Sequence, residues 1–118
     1  MEDKGFYIFE QIGIFSEYKI GWNYENDLPL DRESLKCFVE FLWIIKDLDI
    51  PKSNGFSLTP NGTLEIEWDI YGRGLEIEFL PDYKIEYLCD TGGAMSEGAI
   101  FKIDKNHSEV YKLIKFIG

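Results

Sequence analysis

The chain has 118 residues, with 22 acidic and 12 basic residues and a formal net charge of −10. A chain of this length has room for one hydrophobic core, so we expect a single domain over residues 1–118. The acidic balance repels phosphate backbones and anionic lipid headgroups, which argues against direct binding of nucleic acid or membranes. Since no apolar run reaches the roughly 20 residues of a membrane span and the N-terminus lacks the charge of a signal peptide, we expect a cytoplasmic protein.

Two helices are predicted before residue 51. The first covers Gly5–Lys19, where apolar residues recur at helical spacing. The second begins after Asp31, which has the side chain of an N-cap, and runs to about Leu48 before Pro51 ends it. Its apolar face is predicted to comprise Leu35, Phe38, Val39, Leu42 and Ile45.

Beyond residue 55 the hydrophobic period changes from about 3.6 to 2, which is typical of strands with one buried face. Apolar and charged residues alternate over 64–70, 75–79 and 85–89, and turn residues separate these runs. A short strand over 56–59 precedes them, and a last strand is predicted at about 99–103, after a glycine-rich loop over Asp90–Gly98. The simplest arrangement is a five-stranded antiparallel meander.

A C-terminal helix is predicted from Asn106 onward, because one stripe contains Val110, Leu113, Ile114 and Ile117. The predicted fold class is therefore α+β, with two N-terminal helices and one C-terminal helix packed on one face of the meander.

The sequence contains no pattern that assembles a catalytic or metal site, so we expect a protein that is not an enzyme and uses no cofactor. His107 is the only histidine, and we interpret Cys37 and Cys89 as buried free thiols. The tripeptide Asp90-Thr91-Gly92 is the one that aspartic proteases use, but only residues 93–118 follow it. We interpret it as a turn that glycine permits.

The most informative feature is a set of carboxylates at alternate positions of the predicted strands. Strand alternation and hairpin pairing should bring them together on one face of the sheet, where like charges opposite each other cost stability. This face is either a solvated surface or a docking surface for a basic protein. The set consists of Glu65, Glu67, Asp69, Glu76, Glu78 and Glu86.

A second candidate surface lies in the loop that contains Trp22 and Tyr24. Aromatic residues in loops either anchor a partner or fold back over the core, and the sequence leaves both open. Trp43 and Trp68 are predicted on core faces or edges, with Trp68 the more central.

The order of motifs resembles a group of small bacterial and phage-borne proteins. The resemblance rests on Gly21-Trp22-Asn23-Tyr24, Leu28-Pro29, a capped helix, residues 60–68 (PNGTLEIEW), 75–79 and 85–87. The pattern of the group is GWDGY, a proline-rich step, a helix, DGxIxLEW and an alternating strand pair. This chain departs from it at Glu25-Asn26 and at Asn61. The resemblance implies an accessory protein of toxin–antitoxin, phage or defence systems, acting in the host cytoplasm if phage-borne.

These observations favour a binding module of the inhibitor, antitoxin or immunity type, with the six carboxylates, Trp22 and Tyr24 as its binding residues. The expected partner is a basic protein or a nucleoprotein complex. The alternative is a small-molecule-binding or enzymatic domain with a pocket between the Trp22/Tyr24 loop and the Asp90–Gly98 loop. A third possibility is a self-associating protein, which would have an exposed edge strand.

Overall fold

We describe the protein from a computed structural model, which covers residues 4–19, 21–22 and 27–117, with side chains from residue 10 onward. The five strands form one antiparallel sheet in the order β1-β2-β3-β4-β5, which confirms the predicted α+β meander. The elements are α1 (Lys4–Ser16), α2 (Arg32–Ile45), β1 (Gly55–Leu58), β2 (Leu64–Ile70), β3 (Arg73–Leu80), β4 (Lys84–Asp90), β5 (Met95–Ile100) and α3 (His107–Ile114).

A two-residue turn closes the central hairpin between β2 and β3. Tyr71 and Gly72 both have positive φ, at 50° and 80°. Two such residues give the turn whose twist matches that of the flanking strands. This turn fixes the register that places Trp68 opposite Leu75 and Ile66 opposite Ile77.

One face of the sheet forms the hydrophobic core together with residues of α1 and α2. The ring of Phe79 lies 4.9 Å from that of Phe38 and 5.1 Å from that of Phe41, both in α2. Phe15 of α1 contacts Phe56 of β1 at 5.8 Å between ring centroids. These contacts place α1 and α2 against the apolar face, while the packing of all three helices on one face stays a prediction.

The N-terminus of α2 is tied to the sheet by Ser34, which is fully buried. Asp31 caps the helix as predicted, since its side chain accepts a hydrogen bond from the backbone N–H of Glu33. One turn further, the Ser34 hydroxyl donates to the Phe79 carbonyl at 2.5 Å and accepts from the Leu64 N–H at 2.8 Å. A single hydroxyl therefore links α2 to both β2 and β3, in addition to the ring contacts of Phe38 and Phe41.

The buried stripe of α2 differs from the predicted one. Val39 is 50% exposed, so its predicted place on the apolar face was wrong; Trp43, which was predicted on a core face or an edge, is 61% exposed and does not lie on the core face. Small side chains that hydrogen-bond to the sheet allow another side of the helix to face the core. The buried positions are Ser34, Cys37, Phe38, Phe41, Ile44 and Ile45. Trp43 instead lies beneath the ammonium group of Lys46, 3.3 Å from the ring centroid.

The fifth strand begins earlier than predicted. It covers Met95–Ile100 rather than about 99–103, because the loop after β4 comprises only residues 91–94. Ile103 lies beyond the strand in a short 3-10 helix and is fully buried.

The C-terminal helix α3 buries the predicted stripe: Val110, Leu113, Ile114 and, just after the helix, Ile117. None of the helices in the described ranges is long and apolar enough to cross a membrane.

Candidate functional site

The six predicted carboxylates lie on the face of the sheet opposite the core. The strand register aligns three of them in one row across β2, β3 and β4: Glu65 lies opposite Glu78, and Glu78 opposite Glu86. Side chains at paired positions project from the same face with Cβ atoms about 4.5–5.5 Å apart. Three like charges therefore occupy neighbouring positions.

The next row extends across four strands. Glu67 lies opposite Glu76, Glu76 opposite Leu88, and Leu88 opposite Glu97. In the third row Asp69 and Asp90 lie on either side of Gly74, and Met95 follows on β5. We call this surface the acidic face; its carboxylates are Glu65, Glu67, Asp69, Glu76, Glu78, Glu86, Asp90 and Glu97.

Among the carboxylates of the acidic face, Glu65 has a clearly raised pKa. Its side chain is partly buried, and the pKa of its carboxyl group is raised, first by desolvation and then by the charges of Glu76, Glu78 and Glu67. A raised carboxyl pKa means that the surroundings disfavour the ionised form. The position of Glu65 on the acidic face therefore disfavours its ionised form.

A few contacts offset part of this repulsion. The Thr63 hydroxyl donates to Glu78 Oε2 at 2.5 Å, and Lys84 Nζ lies 3.4 Å from Glu86 Oε2. Asp90 accepts a hydrogen bond from the Gly92 N–H at 2.8 Å, so it is engaged in the hairpin loop. These contacts involve the ends of the strands and leave the pair Glu67 and Glu76 in the centre.

The surface of the acidic face is open and only slightly concave. Two adjoining depressions of about 170 and 290 Å³ share Glu76 and Leu88. Across the described ranges, no group of three or more His, Cys, Asp or Glu residues is placed to hold a metal ion.

Two carboxylates of this face, Asp90 and Glu97, were not among the predicted site residues. The reason is that the prediction assigned residues 90–98 to a loop. The Gly92-Gly93 dipeptide could have identified them, since two glycines between extended runs favour a two-residue hairpin turn. Such a turn places the fifth strand directly after Ala94 and sets Glu97 beside Leu88.

Trp22 does not lie with the carboxylates. Its indole N–H donates to the Leu28 carbonyl at 2.7 Å, and its ring stacks on Tyr18 at 5.0 Å. Trp22 also packs against the core cluster. It folds back over the core, and Tyr24 lies outside the described residues.

Among the described residues, Trp22 does not lie beside the Asp90–Gly98 segment. The Leu28 carbonyl accepts the hydrogen bond from Trp22, and the Leu28 N–H donates to the Pro60 carbonyl in the β1–β2 turn. Trp22 therefore lies near the end of the sheet where β1 turns into β2. Asp90 instead adjoins Gly74, at the end of the sheet where β2 turns into β3. In a meander these turns lie at opposite ends of the strands.

A mostly apolar hollow of about 330 Å³ exists elsewhere; it is lined by Leu48, Asp49, Ile50, Tyr111, Ile114 and Lys115.

The tripeptide Asp90-Thr91-Gly92 forms the start of the β4–β5 turn, where Gly92 has φ +87°.

The two cysteines are free thiols. Burial raises the pKa of Cys37 to about 12, and its Sγ–H donates to the Lys84 carbonyl at 3.3 Å. Burial also raises the pKa of Cys89. Both thiols are held in their protonated, weakly nucleophilic form at neutral pH.

Comparison with known proteins gave no relative: no family model, no curated protein and no solved structure matches the chain. The resemblance to small bacterial and phage-borne proteins stays a prediction.

Proposed function

We propose that this protein is a non-enzymatic binding module that docks on a basic protein through its acidic face. The observation that carries the proposal is the direct cross-strand pairing of like charges, Glu65 with Glu78 and Glu67 with Glu76. Such pairs destabilise an isolated sheet, and a cationic partner would relieve that repulsion.

The kind of partner follows from the charge. A net charge of −10 attracts basic surfaces over long range, and proteins that handle nucleic acids commonly present such surfaces. The module would then act as an inhibitor, antitoxin or immunity protein that competes with nucleic acid for its partner, in the cytoplasm of the cell. The placement of Trp22 against the core leaves the carboxylates as the binding residues of this proposal.

The test compares two charge-reversed proteins with the wild type. One variant carries Glu65→Lys, Glu67→Lys and Glu76→Lys on the acidic face. The matched control carries Glu10→Lys, Glu17→Lys and Asp47→Lys, which are exposed positions away from that face. Both variants change the net charge by the same amount, so only the location of the charge differs.

Each protein is immobilised and incubated with lysate of the source cell at low salt, and bound proteins are eluted with rising salt. We expect the wild type and the control to retain one basic protein stoichiometrically, with a steep dependence on salt, and the acidic-face variant to lose it. Circular dichroism checks that all three are folded. Equal retention by both variants would contradict the proposal, and equal loss would indicate a response to net charge alone.

A further inference from the structure

Strand β5 ends the sheet on one side, and within the described ranges it pairs only with β4. Proteins commonly protect an edge strand with proline, lysine, a bulge or a covering segment, because its free backbone groups can pair with another chain. β5 has the sequence MSEGAI, which contains no proline and no basic residue. Glu97 is its one charged residue.

The hairpin turn identifies which backbone groups of β5 are free. The Thr91 N–H donates to the Ala94 carbonyl at 3.0 Å, so these two residues form a hydrogen-bonded pair across the turn. In an antiparallel ladder hydrogen-bonded and non-hydrogen-bonded pairs alternate. The N–H and C=O groups of Met95, Glu97 and Ala99 therefore point away from β4, and no described residue bonds to them.

The side chains of these same residues project from the acidic face. Met95, Glu97 and Ala99 are all exposed, and Ala99 lies opposite Glu86. A methyl group at position 99 leaves room for a long side chain from a neighbouring strand to extend toward Glu86. Met95 and Phe101, which are 64% and 62% exposed, provide apolar surface at the two ends of the strand.

We propose that an extended segment of the basic partner pairs with β5 as a sixth strand, with lysine or arginine at alternate positions over the acidic face. This inference rests on the proposed function and specifies its mode of binding. Backbone hydrogen bonds to Met95, Glu97 and Ala99 would provide affinity, and the alternating charges would provide specificity. Pairing of β5 with a second copy would instead bring two chains of charge −10 together at their acidic faces.

The test uses a defined probe, the fluorescently labelled peptide acetyl-(Lys-Val)4-amide, and measures anisotropy at low salt. The control peptide has the same composition with its four lysines preceding its four valines. Ala99→Pro removes an outward N–H without removing a bond to β4, and Ala99→Ser keeps that N–H. We expect the alternating peptide to bind, Ala99→Pro to weaken binding by about tenfold or more, and Ala99→Ser, which keeps the outward N–H, to weaken it much less than Ala99→Pro does.

Hydrogen exchange on the wild type gives a second readout that needs no variant. Addition of the alternating peptide should slow exchange at the amides of Met95, Glu97 and Ala99. Absence of binding, equal binding of the two peptides, or unchanged exchange at these amides would overturn the inference. So would a dimer of the free protein that Ala99→Pro abolishes.

The triple Glu65, Glu67 and Glu76 to Lys variant separates this inference from the proposed function. If the peptide binds Ala99→Pro and Ala99→Ser equally well but fails to bind the triple variant, the edge pairing is wrong and the acidic face remains the binding surface. If neither the edge nor the charge variants affect binding, both proposals fail.

Discussion

The two faces of the sheet differ in the side chains that they carry and in the neighbours that those side chains meet. On one face, β3 presents Leu75, Ile77 and Phe79 to buried apolar neighbours; on the other, it presents Glu76 and Glu78 to carboxylates of the adjoining strands. The first face packs in the hydrophobic core, whereas we expect the paired like charges of the second to reduce stability. Because both lie on one strand, the contrast reflects side chains and not the backbone.

The largest expected effect is on the apolar face. Phe79→Ala removes a fully buried ring that contacts Phe38 and Phe41, and we expect a loss of about 3–5 kcal/mol in the free energy of unfolding. Urea denaturation followed by circular dichroism measures it. The matched control is Glu76→Ala on the same strand, which should change stability by less than about 1 kcal/mol.

If Glu76→Ala lost as much unfolding free energy as Phe79→Ala, the expected difference between the two faces would be wrong. It would mean that the acidic face contributes to folding through contacts other than charge.

The next effect concerns the polar link between α2 and the sheet. Ser34→Ala removes the hydroxyl that bonds the Phe79 carbonyl and the Leu64 N–H, and leaves both groups buried without this partner. We expect a loss of about 1–3 kcal/mol in unfolding free energy. Ser57→Ala, at an exposed position of β1, is the control and should have little effect. Equal stability of the two variants would show that Ser34 is dispensable.

The smallest effect concerns the charge of the acidic face. Because the folded state raises the pKa of Glu65, its contribution to stability is most favourable below the ordinary carboxyl pKa and is lost as pH rises through the raised value. We therefore expect Glu65→Gln to stabilise the protein at pH 7 by a few tenths to about 1 kcal/mol.

That gain should disappear near pH 4, where Glu65 is largely protonated. Thermal unfolding at several pH values measures the difference between Glu65→Gln and the wild type. The exposed substitution Glu10→Gln is the control. A gain from Glu65→Gln that is independent of pH would show that charge repulsion is not its source.

The sequence predicted the central strands and the acidic face because strict alternation leaves little freedom in assigning sides. Once Leu64, Ile66 and Trp68 are directed to the core, the intervening Glu65, Glu67 and Asp69 must face the other way. The two-residue turn at Tyr71 and Gly72 then sets the register of β3.

The fifth strand and the stripe of α2 were harder to predict because neither carries a clean hydrophobic pattern. Residues 95–98 show no clear alternation of apolar and polar side chains, and β5 forms by pairing with β4. In α2, the hydrogen bonds of Ser34 and Cys37 to sheet carbonyls compensate for burying small polar groups. Side-chain hydrogen bonds of this kind leave no periodic signal in the sequence.

The meander also bears on how quickly the chain folds. Each strand pairs with its neighbour in sequence, so the sheet can grow by successive hairpin closures, and no strand has to insert between two that have already paired. The bonds of Ser34 span 30 and 45 residues, and closing such loops carries a larger entropic cost. Docking of α2 through Ser34 therefore carries a larger loop-closure cost than the closing of any hairpin of the meander.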